Sequence, residues 1–257
     1  LLAGVDAIAA EDTRVTARLL EHYGLHTKLI AVHEHNERQS ADRIIKDLAQ
    51  GRNIALVTDA GTPGIADPGA LVVAQARAAG FRVVPIPGAN AAVTALSASG
   101  LADAPFVFFG FLPPRSAARR KRLESLRTSP HTLVFYEAPH RIVECVEDLA
   151  AVLGAGRSVV LARELTKMFE QIHHCSLGDI GTWLREDTDR RRGEFVLLVE
   201  GASAKKPDAE WEPLLSALMG ELPMARAVKV TCKLTGARKN AVYRRALSLS
   251  GKDAIGT

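Results

Sequence analysis

Cysteine is scarce in this chain of 257 residues, and the three present, Cys145, Cys175 and Cys232, lie far apart with no C-x-x-C pair. An odd, scattered set excludes a disulfide framework or zinc ribbon and fits reduced thiols in a cytoplasm. No apolar stretch approaches the ~20 residues of a membrane-spanning helix. No glycine-rich segment fits G-x-G-x-x-G with a ribose-binding acid, or G-x-x-x-x-G-K-[ST], which disfavours a dinucleotide or triphosphate ligand. The histidines build no metal site: His33 and His35 share one side if their stretch is extended, and His173 and His174 point to opposite faces. Neither set gains a carboxylate or thiolate that completes it. Internal repeats and low-complexity tracts are missing too. The opening Leu1-Leu2-Ala3-Gly4-Val5-Asp6 lacks an initiating methionine and reads as the interior of a helix, with no secretory signal legible in it.

What is present suits a globular protein. The chain is 47% hydrophobic and 24% charged, and long enough to bury a substantial core. Its net charge of +4 is unevenly spread. Residues 201–257 carry a net +5, and the rest a net −1. A basic tail either meets a polyanion or is a solvated helical surface.

Short β-branched or aromatic segments predict strands at Asn53–Thr58, Phe81–Ile86, Phe106–Phe109, Thr132–Tyr136, Ser158–Ala162, Gln171–Cys175 and Glu194–Glu200. Helices are expected over Ser40–Gln50 with Ser40 as cap, over Ala70–Ala79 and Asn90–Ser99 before Gly80 and Gly100, and over Pro139–Leu153. Alternation of strand and helix to residue 100 implies a mostly parallel covered sheet. The closer strands after Gly110, with Ser158–Cys175 as a hairpin-like pair, imply a second α/β domain with a mixed sheet. The expected division is 1–110, 111–201 and 202–257, with a hinge at Phe111-Leu112-Pro113-Pro114-Arg115 and a linker at Gly201–Pro207.

The most informative segment is Thr58-Asp59-Ala60-Gly61-Thr62-Pro63-Gly64-Ile65-Ala66-Asp67-Pro68-Gly69. Its glycines and prolines forbid a helix and leave main-chain groups exposed at a strand end, where open parallel sheets bind ligands. Pro85-Ile86-Pro87-Gly88-Ala89-Asn90 repeats the arrangement and leads into a helix. Two such loops suit a nucleoside or a small zwitterion, with Asp59 and Asp67 as the strong negative charges.

Thr58–Gly69 together with Pro87-Gly88-Ala89-Asn90-Ala91 resembles the tetrapyrrole methylase superfamily of S-adenosylmethionine-dependent enzymes. Further stretches narrow the likeness: Glu11-Asp12-Thr13-Arg14, Gly110-Phe111-Leu112-Pro113, Tyr136-Glu137-Ala138-Pro139-His140-Arg141, Arg163-Glu164-Leu165-Thr166-Lys167 with Phe169-Glu170, and Gly193-Glu194-Phe195-Val196. In this order they are similar to the branch that methylates a ribose 2′-hydroxyl of one cytidine in the decoding centre of 16S ribosomal RNA. The resemblance implies two α/β domains with S-adenosylmethionine in the cleft between them, and a small C-terminal helix-turn-helix-like module. It assigns the cofactor to Asp59, Ala60, Gly61, Thr62, Pro63, Ile65, Asp67, Pro87, Gly88, Asn90 and Ala91, with Tyr136, Glu137 and Ala138 on the far wall. It implies a cytoplasmic homodimer acting on 16S rRNA or the small ribosomal subunit, without metal or membrane. It also implies a strand and a Thr-Pro-Ile-Gly-Asn-Leu loop ahead of Leu1, neither of which is in this sequence.

Methyl transfer to a ribose hydroxyl requires in-line placement, a proton acceptor and neutralised phosphates. Lys167 with a lowered pKa, oriented by Glu164, is the favoured catalytic pair, though a structural salt bridge accounts for the same residues. Arg14, Arg141 and Arg163 are the cations within the matched motifs. Arg115, Arg119, Arg120, Lys121 and Arg122 form a phosphate-contacting face or a solvated helix. Met224–Leu234 and Ala237–Leu249 read as helix-turn-helix, with Arg238 and Lys239 opening the second helix where phosphate binds. Two other functions remain open: a small-molecule tetrapyrrole methylase, and a non-catalytic RNA-binding or ribosome-assembly protein.

Overall fold

The computed structural model describes residues 1–59, 61–101, 105–202, 207–237 and 239–250, with the backbone alone at 207–210. They form two compact units, Leu1–Gly201 and Ala202–Thr257. Among the described residues no helix is long and apolar enough to cross a membrane.

The first unit opens with a short 3-10 turn at Leu2–Gly4, followed by strand β1 (Ala7–Ala10). The expectation that the chain starts inside a helix is therefore corrected. Alanines favour helix in isolation, but here they fill the central position of a parallel sheet, and burial on both faces overrides propensity. Helix α1 (Thr13–His22), strand β2 (Lys28–Ala31), helix α2 (Glu37–Ala49) and strand β3 (Ile54–Val57) follow. The sheet order is β2-β1-β3, all parallel. Ala7, Ala9, Ile30, Ala41, Ile44 and Val72 make its core. Ser40 is not a cap: α2 begins three residues earlier, and the buried Ser40 hydroxyl donates to the Ala31 carbonyl at 2.9 Å.

Helix α3 (Ala70–Ala78) follows the glycine loop, and helix α4 (Ala91–Ser99) follows the second loop. The expected strand Phe81–Ile86 does not form. Pro85 and Pro87 carry no N–H for a ladder, and among the described residues no strand pairs with this stretch, leaving Val83, Val84 and Ile86 exposed.

A five-stranded sheet completes the unit. Its elements are β4 (Phe106–Phe111), α5 (Ser116–Glu124), β5 (Thr132–Glu137), α6 (Ile142–Leu153), β6 (Ser158–Arg163), β7 (Gln171–Ser176), α7 (Leu177–Glu186) and β8 (Phe195–Val199). Pro139 precedes α6 rather than sitting in its first turn. The order β4-β5-β8-β6-β7 is mixed: β4 and β5 are parallel, and the other pairs antiparallel. The expected pairing within Ser158–Cys175 is the β6–β7 hairpin. Side chains alternate between two cores. Leu133, Phe135, Leu161, Leu197 and Val199 face α5, α6 and α7. Val134, Val160, Ala162, Val196 and Leu198 face Ala92 and Ala95 of α4. Helix α4 thus covers the second sheet while its N-terminal loop belongs to the first βα array. That double duty positions the site.

The second unit contains α8 (Pro207–Glu221), α9 (Met224–Thr235) and α10 (Lys239–Leu249). Trp211, Leu215, Ala227, Val228, Val242 and Ala246 form its core. Gly236, at φ +70°, ends α9 in the left-handed conformation that glycine adopts without strain.

Candidate active site

The loop after β3 is shaped by main-chain geometry. Gly61 has φ +130°, and a Cβ there would lie 2.6 Å from the Ala89 carbonyl oxygen. The loop following β3 therefore touches the loop before α4 through a position that admits only glycine. The Thr62 hydroxyl donates to the same carbonyl at 3.0 Å. Thr58 Oγ1 donates to Asp67 Oδ2 at 2.8 Å, closing the first loop on itself. Glu37 Oε1, from α2, accepts from Gly69 and Leu71 N–H at 2.8 and 2.9 Å, so α3 starts from a fixed base.

The second loop ends at Asn90, whose Oδ1 caps α4 by accepting from Val93 N–H at 3.1 Å. Tyr136, reaching across from β5, accepts from Ala92 N–H at 3.1 Å. Its ring packs edge-on against Phe108 and Phe111. Gly110, at φ +65°, brings β4 against Ala66, itself a non-glycine residue at φ +65°. The carboxyl ends of β3, β4 and β5 thus converge. Backbone N–H groups of Ala89, Asn90 and Ala91 make no hydrogen bond within the described residues.

This seam is acidic. Burial, and then Glu11, Asp12 and the neighbouring Asp67, raise Asp59 above the ordinary aspartate range. Burial also raises Asp67, against the Thr58 hydrogen bond that opposes it. Burial raises the Tyr136 phenol. Asp12 is held well below the usual range by the side-chain and main-chain N–H groups of Arg14. The Arg14 guanidinium is thereby engaged at the start of α1. Unbonded N–H groups beside carboxylates fit a zwitterionic nucleoside: the donors suit its carboxylate, and Asp59 or Asp67 its cationic centre.

A second cluster lies in the β6–β7 loop. Glu164 and Thr166 have φ +51° and +66°, conformations costing on the order of 1–3 kcal/mol that cluster at functional sites. Lys167 Nζ donates to Glu164 Oε1 and Glu194 Oε2, both at 2.9 Å. Glu164 also accepts from Glu194 N–H at 3.0 Å, its carboxyl lying where a Gly193 side chain would be. These bonds, Glu164 first, raise the Lys167 pKa. The expected lowered lysine pKa is corrected: two carboxylates hold the ammonium charged. Leu165 packs into the same core as Ala91 and Tyr136, tying this cluster to the glycine loops from beneath.

Several expected site residues have other duties. Arg119 is fully buried, with Nε 2.7 Å from Asp148 and Nη1 3.3 Å from the Pro114 carbonyl, so it presents no face to RNA. The buried Glu137 carboxylate accepts from Ala138 N–H and pairs with Arg141. Arg141 donates to the Leu112 carbonyl at 2.6 Å. The supposed hinge is therefore gripped by two arginines, and β4 runs into it through Phe111. Arg163 is buried beside Gln171. Arg14, Arg115, Lys121 and Lys239 are exposed, and Ala60 and Arg238 lie outside the described residues. Sequence reasoning missed Glu37, an ordinary surface-type carboxylate whose partners come from a distant segment, and gave Glu194 no role although it stands within the Gly193–Val196 stretch. No group of three or more His, Cys, Asp or Glu residues able to hold a metal occurs among the described residues.

A family model described as tetrapyrrole (corrin/porphyrin) methylases matches residues 1–181, and one described as RsmI C-terminal HTH domain matches 205–250. The chain is 49% identical to ribosomal RNA small subunit methyltransferase I of Escherichia coli O157:H7, over 98% of this chain and 88% of that one. It is 46% identical to the protein of that name from Pseudomonas aeruginosa, over 98% and 91% of the two chains. Among solved structures, the cobalt precorrin-4 methyltransferase CbiF aligns with TM-score 0.56 at 14% identity, covering 77% of this chain and 85% of that one. The uroporphyrin-III-C-methyltransferase from Thermus thermophilus aligns with TM-score 0.53 at 20% identity, covering 86% and 89%. These structural likenesses concern the fold.

Proposed function

This chain belongs to the tetrapyrrole (corrin/porphyrin) methylase family, and on that footing we propose that it methylates small-subunit ribosomal RNA from S-adenosylmethionine. The acceptor is the ribose 2′-hydroxyl of one decoding-centre cytidine. The observation that carries this reading is the 49% identity, over 98% of the chain, to a protein named for that substrate class. The helical module matched over 205–250 supports it, since a tetrapyrrole needs no nucleic-acid-binding appendage.

S-adenosylmethionine supplies a methyl group already activated on a sulfonium. The protein's part is placement, charge and exclusion of water. Asp59, Gly61, Thr62, Pro63, Ile65 and Asp67 form one wall, and Pro87, Gly88, Asn90 and Ala91 the other. Tyr136 and Ala138 close the far side. The N–H groups at the start of α4, without a hydrogen bond among the described residues, would hold the cofactor's amino-acid carboxylate. On the acceptor side, Lys167 acts in its charged form, donating a hydrogen bond that orients the ribose, while Glu164 fixes the lysine; the hydroxyl proton, made strongly acidic as the oxygen takes the methyl group, is released to solvent. Arg14, Arg115, Lys121 and Lys239 meet phosphates. The protein works in the cytoplasm as a homodimer. The exposed Val15 and Leu19 of α1, continued by Tyr23 at its C-cap, support the dimer, offering apolar surface at helical spacing.

The test is incubation with labelled S-adenosylmethionine and either small subunits or naked 16S rRNA, with methylation mapped by mass spectrometry. A 2′-O-methylated cytidine is expected. No ribose methylation on either substrate refutes the reading.

A further inference from the structure

The β6–β7 loop and the segment before β8 border an open pocket of about 540 Å³ whose wall includes Arg163, Glu164, Phe169, Glu170, Asp189 and Arg192. Two observations mark it as more than a surface dent. Phe169 is 69% exposed, an aromatic face left to solvent beside a polar wall. Arg163 is 7% exposed, yet its buried Nε has no hydrogen-bond partner among the described residues, and its Nη1 reaches Gln171 only at 3.4 Å. A buried guanidinium N–H without an acceptor calls for one from a ligand.

The charge of the wall selects the ligand. Arg192 is paired with Asp189 at 3.0 Å, and Glu164 with Lys167. Glu170 accepts from Thr166 N–H and has no cation partner among the described residues. With two arginines against three carboxylates in its wall, the pocket has no excess positive charge to attract phosphate. A neutral group with a flat face and a polar edge fits better. We propose that this pocket receives one unstacked nucleobase of the RNA, its ring on Phe169 and its edge read by Arg163 and Glu170. An edge carrying both acceptors and donors, as in cytosine or guanine, matches that pair. The proposal rests on the reading of the chain as an rRNA methyltransferase and adds a base-reading subsite to it.

The test measures the affinity of the full chain for 16S rRNA, and methyl transfer to it, for wild type, Phe169→Ala and Phe169→Trp. Phe169 is exposed, so neither change threatens folding. Loss of a stacked base predicts roughly 5- to 100-fold weaker binding for Phe169→Ala. Phe169→Trp should restore it, and the dependence of affinity on salt should stay unchanged. One abasic nucleotide near the methylated cytidine should reproduce the loss in wild type and add little in Phe169→Ala. Methylation by wild type with Phe169→Ala binding equally well overturns the pocket alone. A loss with a shallower salt slope, insensitive to every abasic substitution, makes it a phosphate site and likewise overturns the proposal. Phenylalanine-dependent binding without methyl transfer overturns the enzymatic reading and leaves the pocket standing. Wild type that neither binds nor methylates overturns both.

Discussion

Replacing Arg119 with methionine decides whether this residue belongs to the RNA or to the core. Its side chain is fully buried, with Asp148 2.7 Å from Nε, Glu144 3.7 Å from Nη2 and the Pro114 carbonyl 3.3 Å from Nη1. Removing one partner of a buried pair costs about 3–5 kcal/mol, because the other charge is left behind. Here Asp148 keeps the Ser116 hydroxyl at 2.9 Å and has Arg120 at 3.9 Å, so the lower end applies, about 3 kcal/mol. For a unit of this size that lowers Tm by roughly 6–12 °C. Urea unfolding and calorimetry give the number. Arg119→Met with Asp148→Leu should recover most of it, since no unpaired charge remains. The exposed Lys121→Ala should leave Tm within about 1 °C and lower the salt slope of RNA binding by about one. If Arg119→Met unfolds normally and itself lowers that slope, the structural assignment is wrong.

Other perturbations test the seam and the lysine. Gly61→Ala forces a Cβ to 2.6 Å from the Ala89 carbonyl at φ +130°. It should abolish S-adenosylmethionine binding by calorimetry, and near-normal affinity would refute the proposed contact between loops. Tyr136→Phe removes the acceptor for Ala92 N–H. It should weaken cofactor binding by about 0.5–1.5 kcal/mol, whereas an unchanged Kd would mean that α4 needs no such anchor. Asp67 has its pKa raised in the fold by burial. The acid form is thus favoured on folding, so the contribution to stability is whole below the ordinary aspartate value and falls as pH rises through the folded pKa. Asp67→Asn should therefore raise Tm at pH 7, more than at pH 3, while cofactor affinity drops; an equal gain at both pH values would contradict this. Lys167→Met should lower kcat by about 10- to 100-fold. Because Glu164 and Glu194 hold the ammonium charged, the wild-type rate should show no lysine titration between pH 6 and 9; an inflection there that Lys167→Met removes would restore the lysine as base.

The elements legible in the sequence were those whose signal is local. Gly100 after the helical run Asn90–Ser99, and the β-branched and aromatic residues of Thr132–Tyr136, each act within a few residues, and each element formed. Misreadings arose where distant chain decides. Ala7–Ala10 has helix-forming composition and becomes a strand because two others flank it. Phe81–Ile86 has strand composition and stays unpaired, because a strand is defined by a partner as well as by its residues. The same distinction runs through the site. Gly61, Asp67 and Asn90 declared themselves by turn chemistry, whereas charge alone could not separate Arg119 and Arg141 from the exposed arginines. A guanidinium at the surface and one clamped on a buried carboxylate have the same letter.

The architecture also determines which substitutions the cofactor seam should notice. Most proposed cofactor contacts are main-chain groups, held by glycine conformations and by α4 resting on the second sheet through Ala92 and Ala95. A side chain such as Thr62 or Ile65 can therefore be exchanged with modest loss, while small residues that allow close approach cannot. Ala95, wholly buried against that sheet, is the sharper case. Enlarging it to leucine would push α4 outward and carry the N–H groups of Ala89, Asn90 and Ala91 with it, though the residue lies one helical turn from the loop. Overpacking of this kind costs about 1–3 kcal/mol of stability. Loss of cofactor affinity should exceed what loss of folded protein explains, because a seam built from two sheets depends on the distance between them.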